Sequence, residues 1–299
     1  MASTYTYDDS SRREDLLDLI TNLDFKENQL VSGLGTSTAK DIIHQWLVDT
    51  LKTPGNNFYV ESVDASYPAT TNPTRHINYC QIVRNAVQVS DSERSVLNAG
   101  FNDRFSYETG KKMKEWKQDL EYALMRGSLI CGSGSAARQM QGIKNWVCVS
   151  TAASGISLTE SALNDMLQAV WNSGTEVNAI YAPMYLKRKI SGYTSGATKY
   201  VDLVDRRLVN SVDVYEADAA RMVKLFAHRF VTVAGDYAAG TNNSDLVGIN
   251  EDFFKIAYLR KPFFRELAKT GDATNGEVVG EQTLECYHRG AGFVLQNIL

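Results

Sequence analysis

Apolar positions recur along this chain at two different periods, and the places where the period changes outline its parts. The longest helical stretch is Gly100 to Arg126. Phe101, Phe105, Met113, Trp116, Leu120 and Leu124 recur there at spacings of three, four or eight, which lines them along one side of a helix predicted over 101–126. Gly127 follows as a stop signal, and Gly110 marks a bend or a close approach inside the helix. Opposite charges four apart, Glu108 with Lys112 and Lys117 with Glu121, are assigned to its wetter flank.

Two further helices are announced by capping boxes. Ser11 with Glu14 opens one over 12–23, and Ser157 with Glu160 opens one that carries Leu163, Met166, Leu167, Val170 and Trp171 and stops before Gly174. Strand-like text fills 42–51 and 77–89, rich in β-branched and aromatic residues. About 25 residues of Asn, Thr, Ser and Pro separate these two runs, with turn signals at Pro54-Gly55 and Asn72-Pro73. The pattern predicts a long hairpin with little of its own to bury against, which needs a partner surface, or failing that its own subunit's sheet. Later, 178–183 reads as a buried strand, 184–190 as a short helix, 208–215 and 222–233 as strands, and 240–252 as a polar loop. Met222, Lys224, Phe226, His228 and Phe230 alternate onto one face, and two late strands follow after 252.

Composition narrows the function classes. Lys plus Arg number 31 and Asp plus Glu 35, a net charge of −4, unlike a dedicated nucleic-acid-binding domain. The first residues lack an apolar signal core, and no run approaches the roughly 18 apolar residues of a membrane helix, so a soluble protein without a membrane role is expected. Cys80, Cys131, Cys148 and Cys286 form no CxxC pair, which disfavours zinc and predicts buried free thiols. His44, His76, His228 and His288 are scattered, and no nucleophile elbow, metalloprotease or dinucleotide motif is present. The loop GSGSAAR (132–138) lacks the Gly-Lys-Ser/Thr of a phosphate loop. No catalytic residue, cofactor or metal site is therefore assigned.

The order of the segments carries a resemblance. REDLLDLITNL, HQWLVDTL, NYCQIVRNAVQVS, GKKMKEWKQDLEYAL and GIKNWV, followed by SLTESALNDMLQAVWNSG, FKIAYLRKP, LAKTGDA and EQTLECYHRGAG, resemble the major capsid proteins of tailed phages, with the Hong Kong ninety-seven type fold. The resemblance runs from about Arg12 to the C-terminus. It implies an α+β fold with an N-terminal arm (1–40), an extended β-hairpin loop (41–90), a peripheral domain (91–154) holding the spine helix 101–126, an axial domain (155–248) and a return to the peripheral domain (249–299). It implies a structural protein of the virion capsid, assembled in the host cytoplasm from hexamers and pentamers around double-stranded DNA touched non-specifically.

A portal, a decoration protein and a separate scaffolding protein are the implied partners. About ten residues precede the first helix, which leaves no room for a fused scaffold. Lys52, the one lysine within 41–90, is the sole candidate donor for the loop cross-link some relatives make. Candidate inter-subunit contacts are Trp46, Asp49, Glu61, Asp64 and Arg84, with packing at the hairpin base as the alternative for Trp46. Phe105, Met113, Trp116, Leu120 and Leu124 are the expected spine-helix core. A nanocompartment shell of the same fold and an interface-site hydrolase are the competing readings.

Overall fold

The computed structural model describes residues 28–67, 69–96, 100, 102–152, 157–193, 214–216, 222–231, 244–269 and 271–298. The helix expected over 12–23, Phe101, and residues 208–213 lie outside these. In chain order the elements are α1 (Gln29–Gly33), β1 (Gly35–Thr38), β2 (Ile43–Val48), β3 (Thr74–Tyr79), β4 (Gln81–Ser90), α2 (Asp91–Ser95), α3 (Arg104–Arg126), α4 (Ile143–Trp146) and β5 (Val149–Ala152). There follow α5 (Glu160–Asn172), β6 (Ala179–Ala182), α6 (Met184–Tyr193), β7 (Val214–Glu216), β8 (Met222–Ala227), β9 (Ser244–Ile249), β10 (Phe254–Leu267), β11 (Ala273–Cys286) and β12 (Gly292–Ile298). They form a four-stranded sheet ordered β1-β10-β11-β4, a six-stranded sheet ordered β5-β12-β9-β6-β8-β7, and a separate two-stranded hairpin, β2-β3.

Helix α3 ends at Arg126 as expected, but it starts at Arg104 because Asp103 caps it, its carboxylate accepting from the amides of Phe105 and Ser106. Phe105, Trp116, Leu120 and Leu124 are buried as expected, Trp116 being 1% exposed, while Met113 is half-buried. The predicted charge pairs re-sort. Glu108 meets Arg104 at 3.1 Å, Lys112 meets Glu115 at 2.6 Å, and Glu121 is fully buried and points inward. Gly110 has nothing within 4 Å of where a Cβ would stand, so no close approach explains it. Gly127 does require its missing side chain, since a Cβ there would lie 2.4 Å from the Met140 carbonyl.

Two compact units divide the chain. The smaller contains, among the described residues, Arg84–Trp116 and Phe263–Val279. Its apolar centre is Val87, Val89 and Phe105, with the Phe264 ring edge-on to Phe105 at 5.9 Å. Its buried Glu277 is held by Arg265 at 2.5 Å. The larger unit, Glu27–Val83, Lys117–Pro262 and Gly280–Leu299, contains the six-stranded sheet. Leu163, Val170, Ile180, Leu186, Val223 and Phe293 belong to its core.

Within that unit three expectations are corrected. Helix α5 is capped by Thr159, whose hydroxyl accepts from the Ala162 amide, so the cap lies two residues beyond Ser157, and Trp171 is 58% exposed instead of packed. The supposed polar loop contains β9, a strand buried between β12 and β6. Gly248 permits this, since a Cβ there would lie 2.2 Å from the Phe293 ring. Strand β8 ends at Ala227, with Val223 and Leu225 inward and Met222 and Lys224 outward. The alternation then breaks, because His228 is drawn into the interior.

Candidate assembly surface

The hairpin is shorter than its text suggests. The stretch 77–89 is two strands, with β3 pairing antiparallel to β2 and β4 entering the four-stranded sheet. Between them sits Cys80, fully buried, its amide donating to the Ile42 carbonyl at 2.8 Å. In the hairpin register Trp46 faces His76 and His44 faces Asn78, and these four side chains form the inward face. The outward face leaves Ile43, Leu47 and Ile77 exposed.

The inward face ties the hairpin to its own unit. Trp46 is buried, donates its indole N–H to the Cys286 carbonyl at 2.9 Å, and packs against Trp146 with ring centres 5.5 Å apart. This removes Trp46 from the inter-subunit candidates, because its surface is already spent within the subunit. His76 stands edge-on to Trp146 at 5.9 Å. Burial, and then the nearby Arg289 cation, hold the His76 pKa below its ordinary value. His44 meets Glu285 at 2.5 Å. Burial pushes the Glu285 carboxyl upward, but hydrogen bonds from His44 and Tyr287 outweigh it and leave the pKa lowered. Asn78 donates to the carbonyls of Leu284 and Gln141 and accepts from the amides of Gln141 and Tyr79.

Beyond Val48 and Thr74 the chain runs out without helix or strand. Its described residues from 49 to 73 are all exposed. A dozen extended residues each way can reach about 40 Å. The reversal is at Glu61-Ser62, where Ser62 takes a φ of 68°. Around it Phe58, Tyr59, Val60 and Val63 are 88%, 66%, 79% and 61% exposed. Asp49, Glu61 and Asp64, three of the contact candidates, are exposed on this arm. Arg84, the fifth candidate, is on β4 in the smaller unit, mostly exposed, 3.8 Å from Glu277.

A second anchor holds the segment before β1. The buried Glu121 carboxylate accepts from the amides of Leu30 (2.7 Å) and Val31 (2.9 Å), and its Oε1 lies 2.9 Å from His228 Nε2. His228 Nδ1 accepts from the Phe230 amide, so Nε2 carries the ring proton toward Glu121. The spacing assigns Glu121 to the wetter flank of α3, and no local signal marks it as buried, since its partners are 91 and 107 residues away.

The four cysteines are free, and two of them, Cys131 and Cys148, are exposed where buried thiols were expected. Among the described residues no three His, Cys, Asp or Glu side chains are grouped to hold a metal ion, and no helix is long and apolar enough to cross a membrane.

Comparison with known proteins agrees with this geometry. Over 123 residues, 41% of this chain, the sequence is 31% identical to the major capsid protein of Escherichia phage Phieco32, and the match spans 35% of that relative's length. The fold is similar to that in the capsid of Myoviridae phage XM1, with a TM-score of 0.66 at 12% identity, covering 95% of this chain and 97% of that one. It is also similar to that in the holo-SrpI encapsulin complex of Synechococcus elongatus, with a TM-score of 0.61 at 14% identity, covering 100% and 96%. The fold is thus the α+β fold of tailed-phage capsids. Residues 2–299 match the family model for the SU10 major capsid protein, and the chain belongs to that family.

Proposed function

We infer that this chain is the repeating structural subunit of an icosahedral phage head, joined to its neighbours through the hairpin arm. One observation carries the reading. The base of the hairpin is fastened by Trp46, Asn78 and His44, yet the arm beyond it exposes Leu51, Phe58, Tyr59, Val60, Val63 and Tyr67 to water. Burying side chains of this kind is worth roughly 1.5–3 kcal/mol each. An arm that leaves them all wet gains its stability from another surface, and a second copy of the chain supplies one. Such reaching contacts are heterologous, and where the rotation closes they build rings and shells.

In this reading hexamers and pentamers enclose double-stranded DNA, touched without sequence preference because a net charge of −4 offers no broad basic face. In place of the expected bounds, residues 41–79 act as the extended loop, the six-stranded sheet, which draws in β5 and β12, as the axial domain around capsomer centres, and α3 with the four-stranded sheet as the peripheral domain. A scaffolding protein, portal and decoration protein act as separate chains, assembly takes place in the host cytoplasm, and the subunit works without catalysis or cofactor. Electron microscopy of the purified protein, with its scaffold supplied, tests this. Closed shells with five-fold and six-fold capsomers are expected, and a monomer or small symmetric oligomer overturns the reading. The likeness to an encapsulin favours one second reading, a shell around protein cargo, and nucleic acid or protein inside purified particles decides between them.

A further inference from the structure

The uncovered tip of the arm has a counterpart elsewhere on the same chain. Within the larger unit the loop 131–138 and Ile82 leave a hollow of about 420 Å³. Ile82, Cys131, Ala136 and Ala137 line it, with Arg138 at one side. The wall is built in advance. Ile130 and Gln139 bridge the loop's ends, and the Ser133 amide donates to the Ala136 carbonyl at 2.9 Å. Gly132 has a φ of +76°, and a Cβ there would come within 2.4 Å of the Arg138 side chain. Apolar surface around it is bare: Ile82 is 47% exposed, Leu129 47% and Ile130 40%.

We propose that this hollow receives the hairpin tip of a second copy of the chain, with the Phe58–Tyr59 pair seated in it. The proposal rests on the shell reading above and names the docking site of the arm. Three observations support this occupant over another. Both surfaces are apolar and uncovered within one subunit, since the tip's own exposure shows that it does not fill its own hollow. The size suits an aromatic ring: a dry cavity of about 150 Å³ already admits benzene. The charges are opposite. Between 57 and 66 the only carboxylates or cations are Glu61 and Asp64, and among the described residues the only charged group lining the hollow is Arg138. One Arg138 nitrogen is held by Glu281 at 2.8 Å, leaving further guanidinium N–H groups for an incoming carboxylate. A knob and a hole at different places on one chain make a contact that is not two-fold symmetric, so it repeats from copy to copy.

The native Cys131 makes the contact testable. In assembled particles of a Phe58→Cys variant, copper(II)–phenanthroline should oxidise the paired thiols, two electrons passing to copper and two protons to solvent. The disulfide forms only where the two Cα atoms lie within about 7 Å. On a non-reducing gel the monomer band should give way to a ladder, with peptide mapping joining position 58 to Cys131. A Cys131→Ser change in the same variant should abolish the ladder. Ala137→Trp, which fills the hollow at the surface, should leave the subunit folded and block shell formation. Intact shells without the ladder, a ladder joined to Cys148, or normal shells from Ala137→Trp would each overturn the docking site while leaving the shell reading in place. If no shell forms from the parent protein, both fall.

Discussion

The indole N–H of Trp46 donates to the main-chain carbonyl of Cys286 at 2.9 Å, across 240 residues of sequence. The hairpin is therefore fixed at its root by a buried residue and free along the rest of its length. Trp46→Ala should cost the isolated subunit about 3–5 kcal/mol, the usual price of emptying a buried aromatic site. Trp46→Phe should cost less, with the Cys286 carbonyl left unpaired at about 1–3 kcal/mol. Denaturant unfolding of the unassembled subunit measures both. Unchanged stability in Trp46→Ala would return Trp46 to the inter-subunit contacts.

Acid should loosen the same root. His76 has a folded pKa below its unfolded value of 6.5, so the unfolded state binds more protons as pH falls past 6.5. The stability that neutral His76 contributes is complete above 6.5 and is lost as pH falls through the folded pKa. The groups around it act in the same sense: Arg289 repels the imidazolium, and the Trp46 and Trp146 rings supply no counter-charge. Subunit stability followed from pH 8 to pH 5 should decline below about 6.5, and His76→Phe should flatten that decline. A parent-like decline in the variant would place the titration elsewhere.

Glu121 should govern the segment before β1. Glu121→Gln replaces an acceptor-only group with one that is half donor, so one of the amides of Leu30 and Val31 or the His228 N–H loses its acceptor. A loss of about 1–3 kcal/mol is expected. Hydrogen exchange at Leu30 and Val31 should quicken while the interior of α3 keeps its protection. Equal protection in parent and variant would mean that other groups hold the segment.

Trp116 is the position where α3 should be most sensitive. At 1% exposure its replacement by Ala should remove about 3–5 kcal/mol, measured by urea unfolding.

The contrast between Trp116 and Glu121 shows what the sequence could convey. The stripe through Phe105, Trp116, Leu120 and Leu124 is periodic, and periodicity is a local property, so α3 was legible to within a few residues at its start. The same holds for β6 and α6. Glu121 belongs to the same helix and was misplaced, because a carboxylate that accepts two distant amides and an imidazole has the same spacing as one paired with Lys117. The break at Cys80 was invisible for a related reason: alternation continues through it, and only the change of partner strand from β2 to β11 divides β3 from β4. Strand β9 was missed because Ser244, Asp245 and Gly248 dilute its apolar run, and Gly248 is there for Phe293. The arm was legible as an uncovered segment, whereas the hollow near Cys131 was not, since its lining is assembled from β4 and a loop about 50 residues later.

The claim that the arm links subunits is tested most directly by sedimentation of a shortened chain. Val48 pairs with Thr74 at the outer end of the hairpin, so residues 49–73 can be replaced by Asn-Gly, a two-residue turn that suits antiparallel strands. The parent should sediment as a closed particle, and the shortened chain as a small, folded species with near-parental melting. A shortened chain that still sediments as the full particle, or one that cannot fold, would contradict the account.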